Sequence, residues 1–124
     1  MVEKVPADVE AKYNKYIQLK ETQAALSQER IMLEGTLAEI DSMIEKIKEL
    51  EDDVELYKMI GNVLVKTRKD AILKELEDRK EDLEIRLKAI KSQEDSIKKE
   101  LDRLAEELKR LLGGGGGQPG AAGG

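Results

Sequence analysis

The stretch Val54-Glu55-Leu56-Tyr57-Lys58-Met59-Ile60-Gly61-Asn62-Val63-Leu64-Val65-Lys66-Thr67 decides the fold. It is dense in β-branched and apolar residues and broken by Gly61-Asn62, the two residues that best tolerate positive φ, so it reads as two short strands and a primed turn. Val54, Leu56 and Ile60 alternate with Glu55, Tyr57 and Met59, and Val63 and Val65 alternate with Leu64 and Lys66. A lone hairpin is marginal in water and leaves two edges of unpaired backbone groups. Another copy or a homologous chain is therefore expected to complete the sheet.

Outward from the hairpin both flanks are written in heptads. Before it, Val9, Tyr16, Gln23, Arg30, Leu37 and Ile44 recur as a positions, and Lys12, Leu19, Leu26, Leu33, Ile40 and Ile47 as d positions. Pro6 and Asp8 mark a helix start near residue 7, and the acids Glu51, Asp52 and Asp53 oppose the dipole at a helix end near residue 51. After it, Thr67 and Asp70 have the spacing of a capping box. The second helix then carries Leu73, Lys80, Leu87, Glu94, Leu101 and Leu108 at a, and Leu76, Leu83, Ile90, Ile97, Leu104 and Leu111 at d. Acid-first pairs Glu75 with Arg79, Glu84 with Lys88, Glu94 with Lys98 and Glu106 with Arg110 support that helix.

The hairpin reverses the chain, so the helices should run antiparallel. If facing residues have numbers that sum to 120, every a position meets a d position, from Ile47 with Leu73 to Val9 with Leu111, and no layer holds two polar residues. The expected fold is mainly α: a long antiparallel two-helix coiled coil joined by a single β-hairpin. Each arm should be on the order of 60 Å long at the rise of an α-helix. The expected segments are an N-terminal helix over 1–53, an oligomerising hairpin over 54–67, a C-terminal helix over 68–112 and a Gly-rich flexible tail over 113–124.

Composition narrows the chemistry. Of 124 residues, 40% are charged and the net charge is -5, which gives no basic footprint for nucleic acid. Three tyrosines are the only aromatics, so the apolar residues must lie along a seam instead of filling a globular core. The absence of Cys and His removes disulfides, thiolate chemistry and the usual neutral-pH base and metal ligand. No cofactor and no metal are expected, and no enzyme activity. No stretch reads as a signal peptide or a membrane span, so a soluble cytoplasmic protein is expected.

Polar seam residues cluster at Gln23, Arg30 and Glu94, a register-setting patch in which Arg30 reaches Glu94. Gly35 falls at an outward f position, either as a soft spot for bending or as a tolerated substitution. The distal ends of the arms differ from the rest. Val2, Val5, Val9, Tyr13, Tyr16 and Ile17 lie beside Leu104, Leu108, Leu111 and Leu112, more apolar surface than a two-stranded coil covers. Two readings stand there, a terminal core layer and a soft surface that holds hydrophobic segments of other proteins.

The hairpin, and above all Tyr57-Lys58, Gly61, Val63 to Lys66 and Lys69-Asp70 between equal heptad arms, resembles the β-type subunits of prefoldin, particularly the archaeal form, over about residues 6–112. The resemblance implies a hexamer of two α and four β subunits, with hairpins joined into an intersubunit β-barrel. It implies an ATP-independent chaperone whose arm tips bind unfolded polypeptides and deliver them to a group II chaperonin. On this chain it maps oligomerisation onto Leu56, Tyr57, Met59, Ile60, Gly61, Val63, Leu64 and Val65, and client binding onto the arm ends. The Gly-rich tail departs from the usual short polar end. Two rival expectations are a filament-forming relative, in which hairpin edges pair in an open series, and a passive coiled-coil spacer.

Overall fold

A computed structural model of the chain describes residues 5–113. The element order is α1 (Ala7–Lys48), β1 (Leu56–Ile60), β2 (Val63–Thr67) and α2 (Lys69–Leu112). Two long helices pack together and an antiparallel hairpin joins them, the mainly α fold that the heptads and the Gly-Asn break imply. Val2 and the segment beyond Gly113 lie outside the described residues.

α1 begins where Pro6 leaves off: the Glu10 amide donates to the Pro6 carbonyl at 3.0 Å. Asp8 and Glu10 stand in its first turn and Lys46 and Lys48 in its last, the charge order that the helix dipole favours. The helix stops at Lys48, short of residue 51, because the chain tightens at once. The Leu50 amide closes on the Ile47 carbonyl at 3.1 Å and the Val54 amide on the Glu51 carbonyl at 3.2 Å. Val54 thus belongs to this turn, and β1 starts at Leu56.

The strands pair in register Leu56 with Thr67, Tyr57 with Lys66, Lys58 with Val65, Met59 with Leu64 and Ile60 with Val63. Only Gly61 and Asn62 remain for the turn, and Gly61 has φ +59°. Positive φ at the first central residue is what a primed two-residue turn requires, and it matches the twist of the strands.

The capping box does not form. Thr67 is spent as the last residue of β2, opposite Leu56, and α2 opens at Lys69 with the Ile72 amide donating to the Arg68 carbonyl at 3.0 Å. Asp70 accepts instead from the neighbouring Ala71 amide at 2.9 Å. At the other end the Gly113 amide donates to the Lys109 carbonyl at 2.8 Å, and a Cβ on Gly113 would stand 2.8 Å from that same oxygen. Glycine closes α2 because no side chain fits.

The chain divides into two units, Glu29–Ile90 and the pair of segments Met1–Gln28 with Lys91–Gly124. In Glu29–Ile90, Ile40, Ile44 and Ile90 are buried, with Ile40 only 1% exposed. All are a or d residues, as the heptads require. Lys80 occupies an a position yet sends its ammonium out to Asp41, Nζ to Oδ1 at 2.7 Å. That hydrogen bond, with the charge of Asp41 behind it, raises the Lys80 pKa above the ordinary lysine value. Arg86 spans the helices to Glu29 at 2.7 Å, and Arg30 reaches Glu34 one turn along α1 at 3.3 Å.

In the other unit Val9, Leu101, Leu104 and Leu108 form the buried seam. Lys15 faces Glu100 across it at 3.7 Å, a g residue against a g residue as in the Glu29–Arg86 pair. Along α2 the acid-first pairs give way to other neighbours. Glu75 meets Lys58 of β1, Lys98 meets Asp102, and Arg103 meets both Glu100 and Glu107. Solvated pairs are worth only about 0–1 kcal/mol each, so the nearest opposite charge wins irrespective of order.

Candidate assembly and binding surfaces

Two apolar surfaces stand apart from the seam, one in each unit. The first is the hairpin. Strand alternation puts Leu56, Lys58, Ile60, Val63, Val65 and Thr67 on one face and Tyr57, Met59, Leu64 and Lys66 on the other. The helices shelter only the root of the first face. Leu56, Lys58 and Thr67 are half-buried, with Lys58 tied to Glu75 of α2. Ile60, Val63 and Val65 are exposed on that face, and Tyr57, Met59 and Leu64 on the other, Met59 at 65% and Leu64 at 63%. Every oligomerisation candidate except Leu56, which is half-buried, is therefore open on the surface of this chain.

The backbone adds a second demand. In a two-residue hairpin the pair beside the turn exchanges both hydrogen bonds and the pattern then alternates. Ile60 with Val63, Lys58 with Val65 and Leu56 with Thr67 are thus the inward-bonding pairs. The amides and carbonyls of Tyr57 and Met59 point out along one edge, and those of Leu64 and Lys66 along the other. Both edges are open among the described residues. Lys66, salt-bridged to Glu55 at 3.5 Å, is the one charged side chain beside those outward groups. Exposed edges with apolar faces are templates for strand addition.

The second surface lies in the unit of Met1–Gln28 with Lys91–Gly124. The client-binding candidates sort into two sets there. Val9, Leu104 and Leu108 are buried, Leu104 to 2%, because they are the a and d residues that close the seam. These three side chains form the last buried layers of the seam. Val5, Tyr13, Ile17, Leu111 and Leu112 are exposed, Leu112 at 64%, and Tyr16 is half-buried. Most of the exposed set sits off the seam, Tyr13 and Leu112 at e positions and Ile17 at b, where packing between two helices cannot reach. Beside them runs a charged row in which Arg103 hydrogen-bonds Glu100 and Glu107. The Arg103 hydrogen bond, aided by Lys15, holds the Glu100 carboxyl below its ordinary range, and burial opposes the shift.

Two features escaped the sequence. Ile31, Met32 and Ile85 are exposed apolar residues outside the a and d pattern, and only a reading of b, c and f positions signals them. Lys69, which the sequence offers only beside Asp70 in the stretch that carries the resemblance, reaches back to the end of α1. Among the described residues no cluster of His, Cys, Asp or Glu could hold a metal, and no helix is long and apolar enough to cross a membrane.

The model of the family described as prefoldin subunit matches residues 10–115. Prefoldin subunit beta of Saccharolobus islandicus is 42% identical over 94 residues, covering 76% of this chain and 75% of the relative. The prefoldin subunit beta of Sulfolobus acidocaldarius is 35% identical over the same shares. Among solved structures, the prefoldin beta subunit from Thermococcus strain KS-1 superposes with a TM-score of 0.82 at 28% identity, covering 90% of this chain and 97% of that one.

Proposed function

The chain belongs to the prefoldin subunit family, as one of its β-class members, and on that premise we propose that it serves in a chaperone that holds unfolded polypeptides. It acts without ATP or any cofactor, in the cytoplasm, and passes its clients to a group II chaperonin. Its assembly partners are an α-class subunit and further β copies. They join through the hairpin, whose outward groups at Tyr57, Met59, Leu64 and Lys66 are closed by neighbouring strands into a barrel. Ile60, Val63 and Val65 then lose their exposure to water.

The observation that carries the reading is the apolar set Val5, Tyr13, Ile17, Leu111 and Leu112, left exposed around a seam that is already closed by Val9, Leu104 and Leu108. Folding of the chain does not need those side chains to be buried, so they are free for an occupant. Aromatic and aliphatic groups without convergent polar partners favour hydrophobic segments over any one defined ligand.

The test substitutes Tyr13, Ile17 and Leu112 together with serine, which leaves the buried seam intact. The assembled complex is then assayed for suppression of aggregation of several unrelated denatured proteins. The expected result is unchanged helix content and assembly with protection lost for all of them. Full protection by the triple variant would refute the assignment of the surface. Protection confined to a single protein in the unaltered complex would favour a passive spacer with one docking partner.

A further inference from the structure

Lys69 is the wrong residue for its own helix. It is the first residue of α2, where the dipole disfavours a cation. Its ammonium instead turns to the end of α1. Nζ donates to the Leu50 carbonyl at 2.7 Å, to the Lys48 carbonyl at 3.0 Å and to Asp52 Oδ1 at 3.2 Å. Three acceptors match the three N–H donors of an ammonium. The carbonyls of Lys48 and Leu50 belong to the helix end, where backbone oxygens otherwise lack partners and the dipole favours positive charge. The acids Glu49, Glu51, Asp52 and Asp53 crowd the same turn. The Lys69 side chain is only 16% exposed, whereas that of Asp52 is fully exposed. The fully exposed carboxylate is therefore the water-screened part of the contact, and the two carbonyls are the shorter bonds.

The position of this contact matters. The chain leaves α1 at Lys48, runs through the turn to the hairpin and enters α2 at Lys69. Lys69 thus ties together the two points where the hairpin is rooted. Its companion is Lys58, which pins β1 to Glu75 of α2 from the sheltered face. We propose that Lys69 is a positioning residue that fixes the turn over residues 49–55, and through it the pose in which the hairpin meets its neighbours. This inference rests on the hairpin being the assembly element. A tethered ammonium holds carbonyls that would otherwise repel one another and the acids beside them. Without it the exit of α1 frays, and the hairpin samples orientations of which few are competent to pair. The entropy of that sampling is then charged to assembly.

The test uses the full chain with an α-class partner. Lys69→Ala is compared with Lys69→Arg, which keeps the charge on a planar fork that cannot aim three N–H groups at one small set of oxygens. Hydrogen exchange is read at the Leu50 and Val54 amides, whose bonds close the turn, and assembly by native mass measurement against concentration. For Lys69→Ala, exchange at both amides is expected to rise about tenfold or more, as loss of a charge-assisted hydrogen bond implies. The concentration for half-assembly should rise about tenfold. Lys69→Arg should fall between. Methylammonium, which carries the three donors, should restore both quantities in Lys69→Ala, and tetramethylammonium at equal ionic strength should not. Merely lost packing would respond to neither cation.

Unchanged exchange at Leu50 and Val54 in Lys69→Ala overturns the proposal, as does rescue by neither cation or equal rescue by both. Faster exchange with normal assembly also overturns it. Val65→Glu is the control for the underlying reading. If that variant is blocked while Lys69→Ala assembles normally, the hairpin remains the assembly element and only the role of Lys69 fails. If Val65→Glu assembles normally, the hairpin is not the assembly element and the inference falls with it.

Discussion

Gly35→Ala and Gly61→Ala are the same chemical change with opposite expected signs. Gly35 lies inside α1, an added Cβ there meets nothing within 4 Å, and its φ is not in the left-handed region. Alanine should therefore contribute its full helix preference, about 1 kcal/mol. At Gly61 an added Cβ also meets nothing within 4 Å, so contacts cannot account for any effect. What remains is φ +59°, where an L side chain crowds the following carbonyl at a cost of about 1–2 kcal/mol. The two variants should thus differ by about 2–3 kcal/mol, at least a tenfold difference in an equilibrium constant. The assay is urea unfolding followed by far-UV circular dichroism, at one protein concentration because assembly makes stability concentration-dependent. The double variant should show the two effects adding, since no contact links the sites. A destabilised Gly35→Ala would mean that the open f position has a covering neighbour in the assembly. A neutral Gly61→Ala would refute the primed turn.

Ile40→Ala should destabilise by about 2–4 kcal/mol, the range for large-to-small changes at a buried site, as read by chemical unfolding. Val65→Glu should abolish assembly while circular dichroism stays helical, and normal assembly of that variant would sink the hairpin interface. For acid, the Glu100 carboxyl is depressed in the folded chain by Arg103, then Lys15. Its contribution is present above the unfolded carboxylate pKa and is lost as pH falls through the lower folded value. Glu100→Gln should flatten that part of the pH dependence of unfolding. Lys80 runs the other way: its raised pKa gives a contribution complete below the ordinary lysine value and lost as pH rises through the folded one. Asp41→Asn should remove that alkaline loss.

The heptads were the most legible part of the chain because their signal is summed over many repeats. Every a and d position of α1 and nearly all of α2 are at least half-buried, with Leu111 at the end of α2 the exception. Gly61-Asn62 was legible for a different reason, since few residue pairs accept a primed turn. The places where reading failed are those decided by several weak, local options. Thr67 could cap a helix or end a strand, and the ladder with Leu56 won. Glu75 could pair along α2 or with Lys58, a choice that linear spacing does not encode. The apolar cluster at the arm ends could not be divided by composition. Heptad position divides most of it, placing Val9, Leu104 and Leu108 in the seam and leaving Tyr13 and Ile17 outside, while Leu111 stays exposed at its d position. Lys69 was invisible as a partner of α1 because the contact spans about twenty residues and joins a side chain to backbone carbonyls, which carry no sequence signature.

The two open edges of the hairpin also bear on a copy that lacks neighbours. A copy synthesised before its partners offers the same outward amides and carbonyls to any extended segment, including the hairpin of another surplus copy. If the hairpin is the assembly element, an excess of this subunit would favour open stacking of hairpins through the same ten strand residues.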